Sequence, residues 1–210
     1  LTSAAQARFA VFAEVGVSIS RQFDLAGQQW ALGVTPKYVE VLTYDYLYLG
    51  KDIDTAEFTL DEGEKRYSSF NVDIGAAHEL GDGWQIGAVI KNLIPQEYET
   101  IRNNTITLDP QLRIGAAHRS DWTTVAIDLD LSENDPIGFG PATQYLGAGV
   151  EFNLWETLQL RAGYRHNLSD SDTSVATAGI GLSPFGVHID LAAAANSDEI
   201  TGSLQLGVRF

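Results

Sequence analysis

Apolar and polar residues alternate with a period of two along almost the whole chain, and no helical period competes with that pattern. Eleven such runs can be read, at roughly 7–19, 30–38, 70–76, 84–91, 108–114, 125–131, 146–152, 158–165, 176–182, 187–191 and 204–210. In the first, Ala7, Phe9, Val11, Ala13, Val15, Val17 and Ile19 share one face, and Arg8, Glu14, Gly16 and Ser18 share the other. In the last, Leu204, Leu206, Val208 and Phe210 oppose Gln205, Gly207 and Arg209. Pro36 inside the second run predicts a bulge or a locally broken ladder, because proline has no N–H to donate. The expectation is an all-β, antiparallel up-and-down sheet forming one domain over residues 1–210.

Connections between the runs alternate in length. Short turns fall at 24–27, 81–83, 119–121, 153–157 and 183–186, and longer polar connections at about 45–66, 95–105, 132–143 and 167–172. Short turns at one end and long loops at the other are the habit of an outer-membrane barrel, with the short turns periplasmic. A soluble barrel or a two-sheet sandwich would alternate equally well, with its apolar face inward. Aromatic placement separates the two. Trp30, Trp84, Trp122 and Trp155 all sit beside short turns, whereas Tyr38, Tyr44, Tyr46, Tyr48, Tyr67, Tyr98, Tyr145 and Tyr164 lie toward the long-loop end. Two aromatic belts are expected where strand ends meet lipid headgroups, so Trp30, Trp84, Trp122, Trp155, Tyr38, Tyr145, Tyr164 and Phe210 are read as interface anchors.

Composition agrees by exclusion. The formal net charge of −15 argues against nucleic-acid binding through a basic patch, and the absence of cysteine removes disulfide, thiol and cysteine–zinc chemistry. No apolar run reaches the ~18 residues that a transmembrane helix needs. The first residues, Leu1-Thr2-Ser3, have neither the basic start nor the apolar stretch of a signal peptide. With a periplasmic carboxy terminus the first run also points downward. An even strand number then calls for at least one strand ahead of Leu1, and about 12 or 14 in all.

Several segments resemble one family: Trp30 to Tyr38, Lys91-Asn92-Leu93-Ile94-Pro95, Leu160 to Arg165, and Gly181 to Gly186. They are similar to the conjugal-transfer TraF-type outer-membrane proteins, a family similar in strand pattern to FadL-type transporters of hydrophobic compounds. The resemblance spans about Phe9 to Phe210 and implies a membrane barrel. It further implies recognition of the strand ending at Phe210 by the outer-membrane assembly machinery. An amino-terminal region or luminal plug of the kind such barrels carry is not expected in these residues.

Function is expected to lie on the polar face. Glu14, Lys37, Arg113, Asp128, Asp130, Glu151, Arg161, Arg165, Asp190 and Arg209 make a lining of mixed sign. It reads either as a selectivity surface for a small-molecule solute or as ion pairs that rigidify the wall. A turn centred at Ser120 and Asp121 would set Arg113 opposite Asp128 and Gln111 opposite Asp130, and Glu151 opposite or diagonal to Arg161. The acidic run Asp45, Asp52, Asp54, Glu57, Asp61, Glu62 and Glu64 lacks the spacing of a calcium loop and reads as a solvated loop. His166 with Ser169 and Ser171 nearby is the strongest hint of a lipid hydrolase, but no motif supplies an orienting acid, and no enzyme is expected. No cofactor or metal is expected. The expected partners are the bilayer with its lipopolysaccharide and the assembly machinery. The expected role is a channel or transporter for small or hydrophobic solutes; the alternative is a non-conducting accessory of a conjugation or envelope assembly.

Overall fold

The computed structural model describes residues 4–49, 63–136, 138–155 and 157–208. Fourteen strands follow in order: β1 (Ala4–Gly16), β2 (Ile19–Leu25), β3 (Gln28–Leu49), β4 (Glu64–Gly81), β5 (Trp84–Lys91), β6 (Gln96–Glu99), β7 (Thr105–Leu108), β8 (Gln111–Arg119), β9 (Thr123–Asp130), β10 (Tyr145–Leu154), β11 (Leu158–Asn167), β12 (Val175–Leu182), β13 (Val187–Ala195) and β14 (Ile200–Val208). Twelve of them make one antiparallel sheet in the order β1-β3-β4-β5-β8-β9-β10-β11-β12-β13-β14, with β2 also on β3. The remaining two, β6 and β7, pair only with each other. Among the described residues there is no α-helix, and the complete 3-10 turns are Ser171–Thr173 and Pro184–Gly186. The all-β antiparallel expectation holds. A closed barrel is not formed: within these residues β14 pairs with β13 alone, and β1 and β2 with β3 alone.

Pro36 gives the expected broken ladder rather than a bulge. Its own strand keeps register, with Pro36 opposite Val72 on β4, and the gap falls on the neighbouring strand. Gly16 faces Lys37 and Ile19 faces Val34, so the pairing resumes in the same register after Val17 and Ser18. The Val17 N–H still reaches the Pro36 carbonyl (3.2 Å), but proline returns no donor, and the ladder lapses for two residues. One long strand, 4–25, is thereby written as two.

Tight turns set the short end. Between β2 and β3, Ala26 and Gly27 both take positive φ (56° and 78°), the geometry of a two-residue hairpin, and Asp24 Oδ1 accepts from the Gly27 N–H at 2.9 Å. At the other end β3 runs on to Leu49 and β4 begins at Glu64, so both ends of the expected loop at 45–66 are strand, and residues 50–62 lie outside the described residues. The reason is in the sequence: Tyr44, Tyr46 and Tyr48 continue the alternation past Tyr38 with Asp45 between them. β1, the upper half of β3 and the first half of β4 form a tall wall above the rest of the sheet.

The two faces differ in what they expose. Val15, Ile74, Ile127, Leu160, Leu191 and Leu204 are solvent-accessible on one face, which we call outer. The inner face carries most of the charges, while Arg21, Glu40, Glu64 and Arg66 lie on the outer one. Among the described residues the one small buried core is at the tall wall, where Val39 and Val41 pack with Tyr98 and Ile106 of the β6–β7 hairpin, flanked by Ala10, Phe12, Tyr67 and Leu108. The hairpin therefore lies on the inner face. That overturns two expectations: residues 95–105 are not an outward polar loop, and Leu108 belongs to β7 rather than to the run that became β8.

Candidate functional site: the polar inner face

Parity fixes the inner lining. Residues one apart in register alternate faces, so Glu14, Lys37, Asp73, Arg113, Asp128, Glu151, Arg161, Arg165 and Asp190 all come to one side. Two adjoining hollows of about 460 and 420 Å³ lie along it and share Arg113, Ala126 and Asp128. The β9–β10 connection reaches back to β1, placing the Phe139 ring 5.0 Å from the Arg8 guanidinium. Five strand spacings separate β1 from β9, about 24 Å if the sheet were flat, and the connection crosses that distance on the inner side, where Arg8 lies.

Charges on this face meet in three groups. Lys37, 5% exposed, places Nζ 3.1 Å from Glu14 and 3.0 Å from Asp73, which lie on the strands either side of it. Arg113 grips Asp130 through Nε (2.5 Å) and Nη2 (3.1 Å). Arg161 bonds Glu151 directly opposite it (2.7 Å) and Asp190 two strands away (2.5 Å). The longer reach passes over β12 at Gly181, where a Cβ would come 2.6 Å from Asp190 Oδ1 and 2.8 Å from Gln159 Oε1. The missing side chain is what leaves room for the bridge.

The partner of Arg113 differs from the expected Asp128. The β8–β9 turn spans Ser120 to Thr123, closed by the Ser120 N–H on the Thr123 carbonyl (2.8 Å) and the Thr123 N–H on Ser120 Oγ (3.1 Å). This centre lies one residue later than Ser120-Asp121, so Asp130 rather than Asp128 meets Arg113, and Gln111 bonds Asn134 instead. Asp128 sits opposite Gly115. Arg165 lies 4.2 Å over the Tyr145 ring. Tyr145 thus belongs to the inner face, not to an outer belt, as do Tyr67 and the hairpin's Tyr98. Alternation places Tyr38, Tyr44 and Tyr164 outward, and Trp84, Trp122 and Trp155 stand exposed at the short-turn end. There Trp30 stacks on His78 at 4.6 Å. Arg209, Phe210 and the acids Asp52, Asp54, Glu57, Asp61 and Glu62 lie outside the described residues.

Sequence reasoning missed the site's best-organised group. Asp45, expected in a solvated loop, is 2% exposed on the inner side of β3. Its carboxylate accepts from Gln6 (2.8 Å), Thr100 (2.9 Å) and Asn104 (2.6 Å), and Arg8 lies 3.7 Å away. Burial alone would push its pKa up; the hydrogen bonds from Gln6, Asn104 and Thr100 together with Arg8 outweigh it and hold the carboxyl below its ordinary value. The only sequence hint was one acid set between Tyr44 and Tyr46 in an unbroken alternation. His166 meets neither Ser169 nor Ser171: its Nδ1 lies 2.9 Å from Ser174 Oγ, which also accepts the Asn167 N–H. Among the described residues no cluster of three or more metal-ligating side chains occurs.

A family model described as F plasmid transfer operon, TraF, protein matches residues 1–130. The match takes in β1 to β9, the hairpin included, while the resembling segments Leu160 to Arg165 and Gly181 to Gly186 lie beyond it. No curated protein matches the chain.

Proposed function

The chain belongs to the family of F plasmid transfer operon TraF proteins, and from its geometry we propose that it is an outer-membrane β-barrel passing small or hydrophobic solutes. The observation that carries this is the inversion of the two faces. Large apolar side chains such as Val15, Ile127 and Leu204 are 75%, 50% and 63% exposed, while most of the charges line the hollowed side; within the outward band Arg21 lies over the Phe23 ring at 5.8 Å. A contiguous apolar sheet face of this extent has no place in water but is what lipid contacts demand.

The height of the band fits. On β3 the outward residues run Trp30, Leu32, Val34, Pro36 and Tyr38, after which Glu40 forms an outward ion pair with Arg66 of β4 (2.8 Å). From Trp30 to Tyr38 the strand rises about 27 Å, or ~20 Å along the membrane normal after tilt, near the ~25 Å band of such barrels. Tall-wall residues beyond Tyr38 stand above the bilayer, on the outside. The short turns and tryptophans lie on the periplasmic side, where Phe210 would present the closing strand to the assembly machinery. Long loops then face the lipopolysaccharide. Unpaired strand edges are untenable in lipid. The edges of β14 and of β1–β2 therefore pair with each other, closing the eleven-strand path, or with strands outside these residues that bring the total to about 12 or 14.

Passage is the role that the open, charge-lined hollows below the hairpin suit. Two measurements test it. The protein refolded in lipid vesicles should resist dissociation in detergent until heated. In planar bilayers it should carry potassium chloride current; a folded, inserted protein without current ends the channel reading. The family's description favours a second reading, a non-conducting component of a conjugation assembly. Stable co-purification with other transfer proteins from membranes, together with an absence of current, would establish that reading instead.

A further inference from the structure

We propose that the β6–β7 hairpin is a built-in constriction of the outer mouth, docked across the inner face and latched through Asp45. This rests on the reading of the inner face as a passage. The chain is steered inward at three points. Asn92 takes a positive φ of 54° just after β5 and donates its N–H to Asp73 (2.9 Å). The Leu93 N–H bonds the Val72 carbonyl at 2.9 Å. Fully buried Asn71 then clasps Ile94 from both sides, its Nδ2 donating to the Ile94 carbonyl (2.9 Å) and its Oδ1 accepting the Ile94 N–H (3.1 Å). These bonds fix the base of the hairpin to the wall.

The hairpin itself is packed, not merely near. Tyr98 and Ile106 are each 2% exposed against Val39 and Val41. The Glu99 carbonyl accepts from both Tyr67 (2.9 Å) and Thr43 (3.3 Å), and the Tyr98 hydroxyl meets Ser69 at 2.9 Å. At the tip, two of the donors that satisfy Asp45 are Thr100 and Asn104. A buried carboxylate stripped of such donors is strongly unfavourable, so the wall residue is matched only while the hairpin is seated. Charge and apolar packing thus favour the same position.

Size decides what the seated hairpin does. A barrel of about 12 tilted strands measures ~24 Å between opposite backbones. A second layer of strands packs ~10 Å inside the first, and side chains of the far wall take several ångströms more. The hairpin then removes about half the width or more at the long-loop end. Solutes must pass beside it, over the Arg8 and Phe139 contact that reaches across from the β9–β10 connection.

Residues 1–210 contain no cysteine, so single thiols introduced into them report cleanly. In the full chain refolded in lipid vesicles, Thr43→Cys lies on the wall beneath the hairpin and Arg102→Cys at its exposed tip. A maleimide should label the first at least tenfold more slowly than the second, and adding Asp45→Ala should erase most of that protection. Potassium chloride conductance in planar bilayers should rise severalfold when residues 96–107 are replaced by a short Gly-Ser link, and measurably in Asp45→Ala alone. Equal labelling of the two thiols would overturn docking. Equal, non-zero conductance of all forms would overturn constriction and leave the channel standing. Zero current in every form, with protection intact, would remove the passage and the constriction together.

Discussion

The tall wall and the far flank are built from the same alternating strands, yet they are stabilised in opposite ways. On β1, β3 and β4 the inner face carries Phe12, Val39, Val41 and Tyr67 and is roofed by its own hairpin. On β12 to β14 the inner face carries Thr177, Gly179, Gly181, Ala192, Ala194, Ser203 and Gln205, and both faces stay largely open. Nothing among the described residues covers β14, whose Leu204, Leu206 and Val208 are all more than 60% exposed. One flank carries a dry core of its own; the other depends on what surrounds the sheet. The comparison separates stability intrinsic to the chain from stability that, on the proposed reading, a bilayer would lend.

The largest expected effect breaks the first flank. Tyr98→Ala removes a buried ring set edge-on to Phe12 (6.2 Å) and its hydrogen bond to Ser69. A buried aromatic truncated to alanine costs about 3–5 kcal/mol. Amide exchange should accelerate across residues 92–108 while β10 to β13 keep their protection; a uniform loss over the whole sheet would show that the two flanks are not independent. Next comes Leu204→Arg on the open flank. At a lipid-facing site near mid-membrane an arginine costs about 2–4 kcal/mol, whereas an exposed position in water shifts stability by ~0.5 kcal/mol or less. Urea unfolding from vesicles gives the number, and a negligible change would contradict the lipid-facing assignment.

The two flanks also differ in how far the sequence announced them. Faces were readable everywhere, because a period of two assigns each residue a side whatever its partner, and eleven runs became the eleven-strand path of the sheet. Register was readable only where turn chemistry fixed the centre. The β10–β11 turn set Glu151 against Arg161, but Ser120 closing on Thr123 moved Arg113 by two residues to Asp130. The hairpin was invisible for a different reason. Its strands are four residues long, its tip is Thr100 to Asn104, and such polar turns read as solvated loop until a partner surface is known. Asp45 likewise looked like one acid among many, since burial is a property of what lies above it. Tyr145 was misassigned because position along a strand, not parity, placed it in a belt.

Asp45 sharpens the comparison through pH. Its folded pKa lies below the ordinary carboxylate value, so the docked hairpin gains stability that is full above about pH 4 and lost as pH falls through the folded value. Exchange at Thr100 to Asn104 should therefore quicken below ~pH 4 ahead of β10 to β13. Asp45→Asn removes that pH dependence and lowers docking stability at neutral pH by about 1–3 kcal/mol, since Arg8 is left without its carboxylate. Retention of the acid transition in the variant would assign it to another group.

The smallest effect belongs to the bridge that reaches over β12. Arg161 is 42% exposed on its side chain, and its partners Glu151 and Asp190 are 35% and 26% exposed. Water screens such pairs, so Arg161→Met should cost about 1 kcal/mol or less despite two short bonds, and less again at high salt. Gly181→Ala attacks the same bridge from below, since the new Cβ would crowd Asp190 and Gln159. Because both changes undo one interaction, their losses should not add: in the Arg161→Met background, Gly181→Ala should cost only the strain of the crowded Gln159. Urea unfolding of the two single variants and the double variant measures the coupling. Full additivity would mean that the glycine serves strand packing rather than the bridge, leaving the open flank without an internal tie across β12.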